Sequence, residues 1–452
     1  MGPAFRIGFV WCVAACGHVV PQAPDGGGTG DGSVSDSGNV TDSSNETDGG
    51  VDAPSNVRGT VRVTVLDRSG NGAPAVGVPV VFIDPDGTLV KTASADSNGK
   101  ADADVLPGGS VTTVVALTSS YQIRTTLGIK PGDDLVLGSR SADTTAAGNV
   151  TVSWPQAPGS PAFYYIYGPC GFATLVNGST LAATMPITNG CKPDTTEILV
   201  WARDSAGGTV SFNDKANVPL VIGGTVTMAN AWTGSLSFTA SYTNLTSIGS
   251  ITAERRFTDG AGFASSDIQN TIGLSSKTFN FLVPSGATAR MVSTLGLSSG
   301  ATQTVRQKLP GNASTYGLDV GGTLLAWLDG VTFDAATQTF HILKTTAGTA
   351  NAVPDLLQVS SSWQRGQTFY DWAVFGPDAD TFQLPVLPAS VGTALNPTAS
   401  DSMSLAATSY EADTVAGYDA ARANVGGALS DTLSGPRSAA TLIRISSSPT
   451  GD

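Results

Sequence analysis

The chain has 452 residues, and its 36 Asp and Glu outnumber 23 Lys and Arg to leave a formal net charge of -13. That balance argues against nucleic acid as a partner, because phosphates would be repelled. Charged residues are only 13%, against about 25% in ordinary soluble domains, so long amphipathic helices rich in Glu, Lys and Leu are excluded in favour of Gly-, Ser-, Thr- and Val-rich β structure. At roughly 100 to 150 residues per domain, the length predicts three or four modules, each with its own core.

The chain opens with Arg6, an apolar run from Ile7 to Ala15, and then Cys16. The run is far shorter than the roughly 20 residues that cross a bilayer as a helix, so it reads as the apolar region of a signal peptide spanning residues 1–16. Val13-Ala14-Ala15-Cys16 resembles the lipobox of bacterial lipoproteins. The resemblance implies that the Cys16 sulfur is diacylated and the new N-terminus acylated, with each buried methylene contributing about 0.8 kcal/mol of attachment. Gly17 stands where that family's inner-membrane retention signal has Asp, which implies an outer-membrane location in the cell envelope. No later apolar run is long enough to span a membrane as a helix.

Residues 17–56 hold seven acids (Asp25, Asp31, Asp36, Asp42, Glu46, Asp48, Asp52), no Lys or Arg, and almost no large apolar side chain. Such a segment buries too little surface to offset its ordering entropy and is expected to be a disordered tether. Forty such residues have an r.m.s. span of roughly 35 Å.

From Val57 the pattern alternates. Val57 to Leu66, Val78 to Ile83 and Ser110 to Leu117 read as strands. Between them stand Ser69-Gly70-Asn71-Gly72, Asp84-Pro85-Asp86-Gly87 and Asp96-Ser97-Asn98-Gly99, whose Asn and Gly residues accept the positive φ of tight turns. Residues 57–141 resemble the carboxypeptidase-regulatory-like and bacterial Ig-like β-sandwich families, which implies a spacer or binding platform and no active residue. Val150 to Pro155, Ala162 to Tyr167 and Thr196 to Gly208 give residues 142–228 a resemblance to fibronectin type III domains, from which the interval holding Cys170 and Cys191 departs. Strands at Ser235 to Tyr242, Lys277 to Val283 and Ala289 to Thr294 mark a β-rich region over 229–317. Those at Leu324 to Leu328, Thr337 to Leu343, Gln358 to Trp363, Phe369 to Phe375 and Ala440 to Ser446 mark a C-terminal sandwich over 318–452. Only Asp413 to Asn424 looks helical. No fixed short repeat suggests a propeller or solenoid. The predicted fold class is all-β: tandem Ig-like and fibronectin-like sandwiches after a disordered tether.

Of four cysteines, Cys12 lies in the leader and Cys16 is the lipid site, so Cys170 and Cys191 are the pair left in the body. In an oxidising compartment they are expected to be joined, contributing about 3 kcal/mol in the chain-entropy model. A zinc site lacks ligands, since His18 and His341 are the only histidines and neither is near the pair in sequence. Gly296-Leu297-Ser298-Ser299-Gly300 matches the nucleophile-elbow string of hydrolases, but the strand-like Ala301 to Arg306 that follows favours a hairpin turn over the required helix. His341, the one usable base, sits in an alternating strand. Asp84, Asp86, Asp96, Asn98 and Asp102 have the oxygen chemistry of calcium ligands without the EF-hand order, and turns account for the same residues. The aromatic groups Phe163, Tyr165, Tyr167 and Trp363, Phe369, Tyr370, Trp372, Phe375 suit a sugar platform, and sandwich packing more often.

These readings point to a membrane-tethered envelope protein with a binding, adhesive or structural role. A cell-surface protein or carbohydrate is the expected partner, no metal or cofactor is expected, and no catalytic residue is assigned. The alternative is a hydrolase carried on β-sandwich modules. Cys16→Ala should abolish lipid labelling and detergent partitioning while Cys12→Ala leaves both intact. Membrane fractionation of the two variants checks this, and a Cys16→Ala chain still in the membrane fraction contradicts it.

Overall fold

The computed structural model describes residues 57–67, 73–138, 145–168, 171–176, 180–189, 194–206, 209–234, 236–257, 262–268, 273–283, 289–310, 313–345, 352–392, 394–423, 425 and 440–451. Within them the chain is all-β, with 28 strands, two short helices and one 3-10 turn at Ala389–Val391. The strands fall into four sets of seven. The first set is β1 (Gly59–Val65), β2 (Pro79–Ile83), β3 (Leu89–Ser94), β4 (Lys100–Val105), β5 (Gly109–Ala116), β6 (Ser120–Ile129) and β7 (Asp134–Leu137). The second is β8 (Ala146–Ser153), β9 (Phe163–Gly168), β10 (Gly171–Val176), β11 (Ala182–Thr188), β12 (Thr195–Arg203), β13 (Thr209–Pro219) and β14 (Thr225–Thr227). The third is β15 (Leu236–Thr243), β16 (Ser250–Phe257), β17 (Gly262–Ile268), β18 (Ser276–Val283), β19 (Ala289–Gly296), β20 (Thr302–Leu309) and β21 (Thr315–Asp319), followed by α1 (Val320–Thr323). The fourth is β22 (Trp327–Asp334), β23 (Thr339–Thr345), β24 (Leu356–Arg365), β25 (Thr368–Gly376), β26 (Thr381–Gln383), β27 (Met403–Ala412) and β28 (Leu442–Ser447), with α2 (Gly417–Arg422) between the last two.

The first three sets share one topology. Each set's first strand lies between its fourth, antiparallel, and its seventh, parallel, giving β4-β1-β7, β11-β8-β14 and β18-β15-β21. Facing these are the orders β3-β2-β5-β6, β10-β9-β12-β13 and β17-β16-β19-β20. This is an Ig-like sandwich of three strands against four. The fourth set uses the same frame shifted by one strand: β25-β24-β27-β28 forms the four-stranded layer, and β22-β23-β26 the three-stranded one. There β22 fills, antiparallel, the place that a parallel seventh strand takes in the other sets.

Local sequence explains the layers. In β4 the pattern Lys-Ala-Asp-Ala-Asp-Val alternates exposed and buried, as a strand with one wet face must. In β2 the run Pro-Val-Val-Phe-Ile is apolar without a break because both faces are covered. Val80 and Phe82 join the first sandwich's core with Val61, Val63 and Leu135. Val81 and Ile83 point the other way into a core shared with Phe340, Ile342 and Trp372 of the fourth set. The Asp96 to Gly99 turn closes β3 onto β4 with Gly99 at φ 72. A Cβ there would meet the Val65 carbonyl oxygen at 2.5 Å, so both conformation and space demand glycine.

Three of the sandwiches are not separate beads. Their four-stranded layers join edge to edge into one twelve-stranded sheet, β17-β16-β19-β20-β28-β27-β24-β25-β6-β5-β2-β3. β20 meets β28 antiparallel, and β25 meets β6 in parallel from Phe369↔Ser120 to Phe375↔Thr126. The sheets β18-β15-β21 and β22-β23-β26 cover one face of this layer. On the other face, β4-β1-β7 covers one end and α2 the middle.

A buried polar chain crosses the β25/β6 seam. The fully buried Trp372 donates its indole N–H to the Thr125 hydroxyl at 2.9 Å, and Thr125 lies 2.8 Å from the Thr112 hydroxyl on β5. At the seam's end α2 clamps the first sandwich. Tyr418 donates its hydroxyl to the Leu127 carbonyl at 2.6 Å, and Arg422 grips both oxygens of Asp133 at 2.9 Å. Trp372→Phe should cost about 1 kcal/mol by removing one net hydrogen bond, and Trp372→Ala about 3–5 kcal/mol through the cavity it leaves. Urea unfolding followed by tryptophan fluorescence and circular dichroism measures both, and equal losses for the two variants would show that the hydroxyl contact, not the packing, dominates.

Candidate functional site

Cys16, Cys170 and Cys191 lie outside the described residues. Ser298 stands in the turn between β19 and β20, where Leu297 N–H reaches the Ala301 carbonyl at 2.9 Å and Gly300, at φ 93, donates to the Leu297 carbonyl at 3.1 Å. A strand follows this turn, so it has hairpin geometry and not the strand-to-helix bend of a nucleophile elbow. His341 is exposed on β23, opposite Thr332 and Thr381, on a different sheet from Ser298. The structure does not bring the two onto one element or one layer.

Asp84, Asp86 and Asp96 of the first sandwich are committed to the local fold. Asp84 is buried, accepts the Leu106 amide at 2.9 Å, and is ion-paired with Arg58. Asp86 accepts the Thr88 amide, and Asp96 accepts the amides of Asn98 and Lys100. The backbone donors of Thr88, and of Lys100 and then Asn98, hold these two exposed carboxyls below the ordinary range. Asp102 faces outward on β4 with Lys91 3.9 Å away. Among the described residues no group of three or more His, Cys, Asp or Glu is gathered as a metal would need.

The two aromatic groups have different fates. On β9, Tyr164 and Ile166 face the second sandwich's own core, while Phe163, Tyr165 and Tyr167 occupy the opposite face. Register places them beside Arg203, Trp201 and Leu199 of β12. Tyr167, Leu199, Trp201 and Phe212 then merge with the third sandwich's core, so this face forms the junction between the two. Burial pushes the Tyr167 hydroxyl up to about 12. At the margin Phe163, Tyr165 and Arg203 stay half-buried, with the Arg203 guanidinium 4.9 Å over Trp201 and 5.6 Å over Tyr165. An aromatic rim with a stacked cation is the chemistry that grips sugar rings or apolar peptide side chains.

In the fourth sandwich Trp363, Tyr370 and Trp372 are core residues, as packing favours, and Phe375 is buried on the reverse face beneath α2. Trp363, Tyr370 and Tyr121 form a three-ring stack across β24, β25 and β6, with centroids 5.1 and 5.5 Å apart and planes 5° and 11° from parallel. Phe369 departs from this pattern: it is 55% exposed, near Leu117, which is 47% exposed.

No family model matches this chain and no curated protein matches it. Solved structures with partial likeness include the Bacillus anthracis TIE protein, at 10% identity and TM-score 0.15 over 58% of this chain and 50% of that one. The chain thus spans about half the length of that protein. A Ca2+-stabilized adhesin with which an Antarctic bacterium binds ice gives 12% identity and TM-score 0.12 over 79% and 95% of the two chains. Two B repeat units of the collagen binding protein of Staphylococcus aureus give 13% identity and TM-score 0.15 over 81% and 98%. At these TM-scores the likenesses carry no weight for the role of this chain. Among the described residues no helix is long and apolar enough to cross a membrane.

Arg365 lies beside the middle ring of the stack, with its guanidinium 5.5 Å from the Tyr370 ring centre, donates to the Asn396 carbonyl at 2.8 Å and grips Asp401. The Arg365 hydrogen bond, first, and then the amide and hydroxyl of Thr398 hold the Asp401 carboxyl down to about 2. A carboxyl depressed in the folded state contributes stability above its unfolded value, and loses it as pH falls from about 4 through about 2. Asp401→Asn should therefore cost about 1–2 kcal/mol near pH 6, and the two proteins should converge below about pH 2. Urea unfolding across that range tests it, and a gap that stays constant with pH would remove the ion pair as its cause.

Proposed function

We propose that this chain is an envelope protein tethered through Cys16 that works as a binding and adhesive array, taking a carbohydrate or a cell-surface protein as partner. The observation that supports this reading most is the continuous twelve-stranded sheet, which carries force between the first, third and fourth sandwiches through backbone hydrogen bonds. A body anchored at one end and bound at another must resist shear, and strands pulled along their length share the load over a whole ladder. The rim of Phe163, Tyr165 and Arg203 is the surface assigned to the partner, because it combines half-buried ring area with a cation stacked over Tyr165 and Trp201 at the margin of the junction with the third sandwich. The folded part, residues 57–452, should bind a glycan array or whole cells, and Tyr165→Ala or Arg203→Ala should weaken that binding about tenfold or more at a temperature where circular dichroism shows both variants folded. Unchanged binding by both variants would remove the rim from the function. Ester hydrolysis lost on Ser298→Ala would instead favour the hydrolase.

A further inference from the structure

The ring stack at the β25/β6 seam follows the strand ladder and ends in a small residue. Trp363 of β24 is opposite Tyr370 of β25, Tyr370 is opposite Tyr121 of β6, and Tyr121 is opposite Ala116 of β5. Opposed residues share a face, so the four side chains form one row. Three of them are rings with centroids 5.1 and 5.5 Å apart, close to the spacing of about 4.8 Å between strands. The fourth is a methyl group at the position where the next ring of the series would stand. Ala116 is exposed, and so are Leu117, Thr118 and Ser119 after it. β2 borders β5 only along Ser110 to Thr113, so among the described residues no strand of the long sheet lies beyond Ala116 to cover it.

Tyr121 is held as a platform beside this opening. One face of its ring lies against Tyr370 with the planes 11° apart. Tyr370 and Trp363 behind it are 6% and 3% exposed, so the outer ring is oriented before anything binds, which lowers the entropic cost of binding. Tyr121 itself is half-buried, Tyr370 is its one ring contact, and its hydroxyl has no hydrogen-bond partner among the described residues. The face of a phenol ring is the negative part of its quadrupole and attracts polarised C–H groups. A pyranose with equatorial hydroxyls presents axial C–H groups on both faces, and its hydroxyls project sideways into water. Stacked on Tyr121 over Ala116, it keeps most of its hydration, and the phenol hydroxyl offers it a polar contact. An aromatic side chain from another protein would need a pocket to desolvate it, and this opening is one ring wide with an exposed floor. A uronate is disfavoured by a protein of net charge -13.

We infer that Tyr121, with Ala116 beside it, is a stacking seat for one uncharged pyranose of a β-1,4-linked glucan or chitin chain. The seat belongs to β5, β6 and β25 and the rim of Phe163, Tyr165 and Arg203 to β9 and β12, so it stands or falls independently of that rim.

Nitration of the full chain with tetranitromethane, followed by peptide mapping, reads the openness of each tyrosine ring. Cellohexaose or chitohexaose at about 10 mM, a concentration suited to a weak single-ring site, should slow nitration of Tyr121 severalfold. Ala116→Phe puts the chain's own ring in the seat: nitration of Tyr121 should then be slow with or without sugar, while circular dichroism stays that of the parent. Tyr121→Ala should weaken hexasaccharide binding, read by saturation-transfer NMR, about tenfold. Tyr165→Ala should leave the protection of Tyr121 intact. Absence of protection by both hexasaccharides, protection that survives Ala116→Phe, or protection lost in Tyr165→Ala would each overturn the inference. Equal protection by N-acetyltryptophanamide at the same concentration would overturn it in favour of an aromatic peptide side chain.

Discussion

The parallel pairing of β25 with β6 is the constraint on which the architecture rests. It joins segments about 250 residues apart, and the Trp372 to Thr125 hydrogen bond spans 247 positions. Closing so long a loop carries a large entropic cost, offset only by contacts made at once on both sides of the seam. Both sides supply them. Trp372 and Val374 enter a core with Ile123, Val81 and Val114, and on the reverse face Phe375 and Ala373 lie beneath α2. Thr125 and Thr112 bond each other within the first sandwich, and the Trp372 indole N–H, costly if buried alone, finds its acceptor in Thr125, so the seam favours one register.

The same seam resolves a hazard of sandwich folds. A four-stranded Ig-like layer ends in two open edges, each able to pair with another chain. In this protein β6, β20, β25 and β28 use their free edges on one another, leaving β3 and β17 as the outer strands of the long sheet. Edge β3 follows the recognised remedy: it is short, largely exposed and carries Lys91. The departure of the fourth sandwich from the common topology belongs to this arrangement. β28 takes this set's sixth position, between β20 and β27, and β22 takes the seventh from the N-terminal side.

Most strands were legible in the sequence because their faces have unlike solvents. Alternation marked β1, and the Asp84 to Gly87 turn marked the hairpin of β2 and β3. The turn at Ser298 was legible for the same reason, since Ala301 to Arg306 alternates as a strand. The union of three layers was not legible. Edge pairing is made by backbone groups that every residue carries, and Phe369 to Phe375 reads the same whether its neighbour is solvent or β6. Nor was the fourfold set of seven strands visible, because topology repeats without repeating side chains. Phe163, Tyr165 and Tyr167 show the limit for sites: alternation placed them on one face but could not say that this face meets another sandwich.

The second sandwich stands apart from the ladder, and the difference is physical. Its four-stranded layer ends at β10 and β13 without a partner from another set, and it is joined to the third sandwich through Tyr167, Trp201 and Phe212 instead. Apolar contact is nondirectional along the face, whereas ladder hydrogen bonds fix both register and direction. Apolar junctions yield by gradual loss of area, and ladders yield by breaking a row of bonds together. A body with three sandwiches in one sheet and one held by an aromatic face therefore has a stiff part and a compliant part. The rim of Phe163, Tyr165 and Arg203 lies on the compliant one, where a bound partner can tilt without tearing the sheet that bears the load.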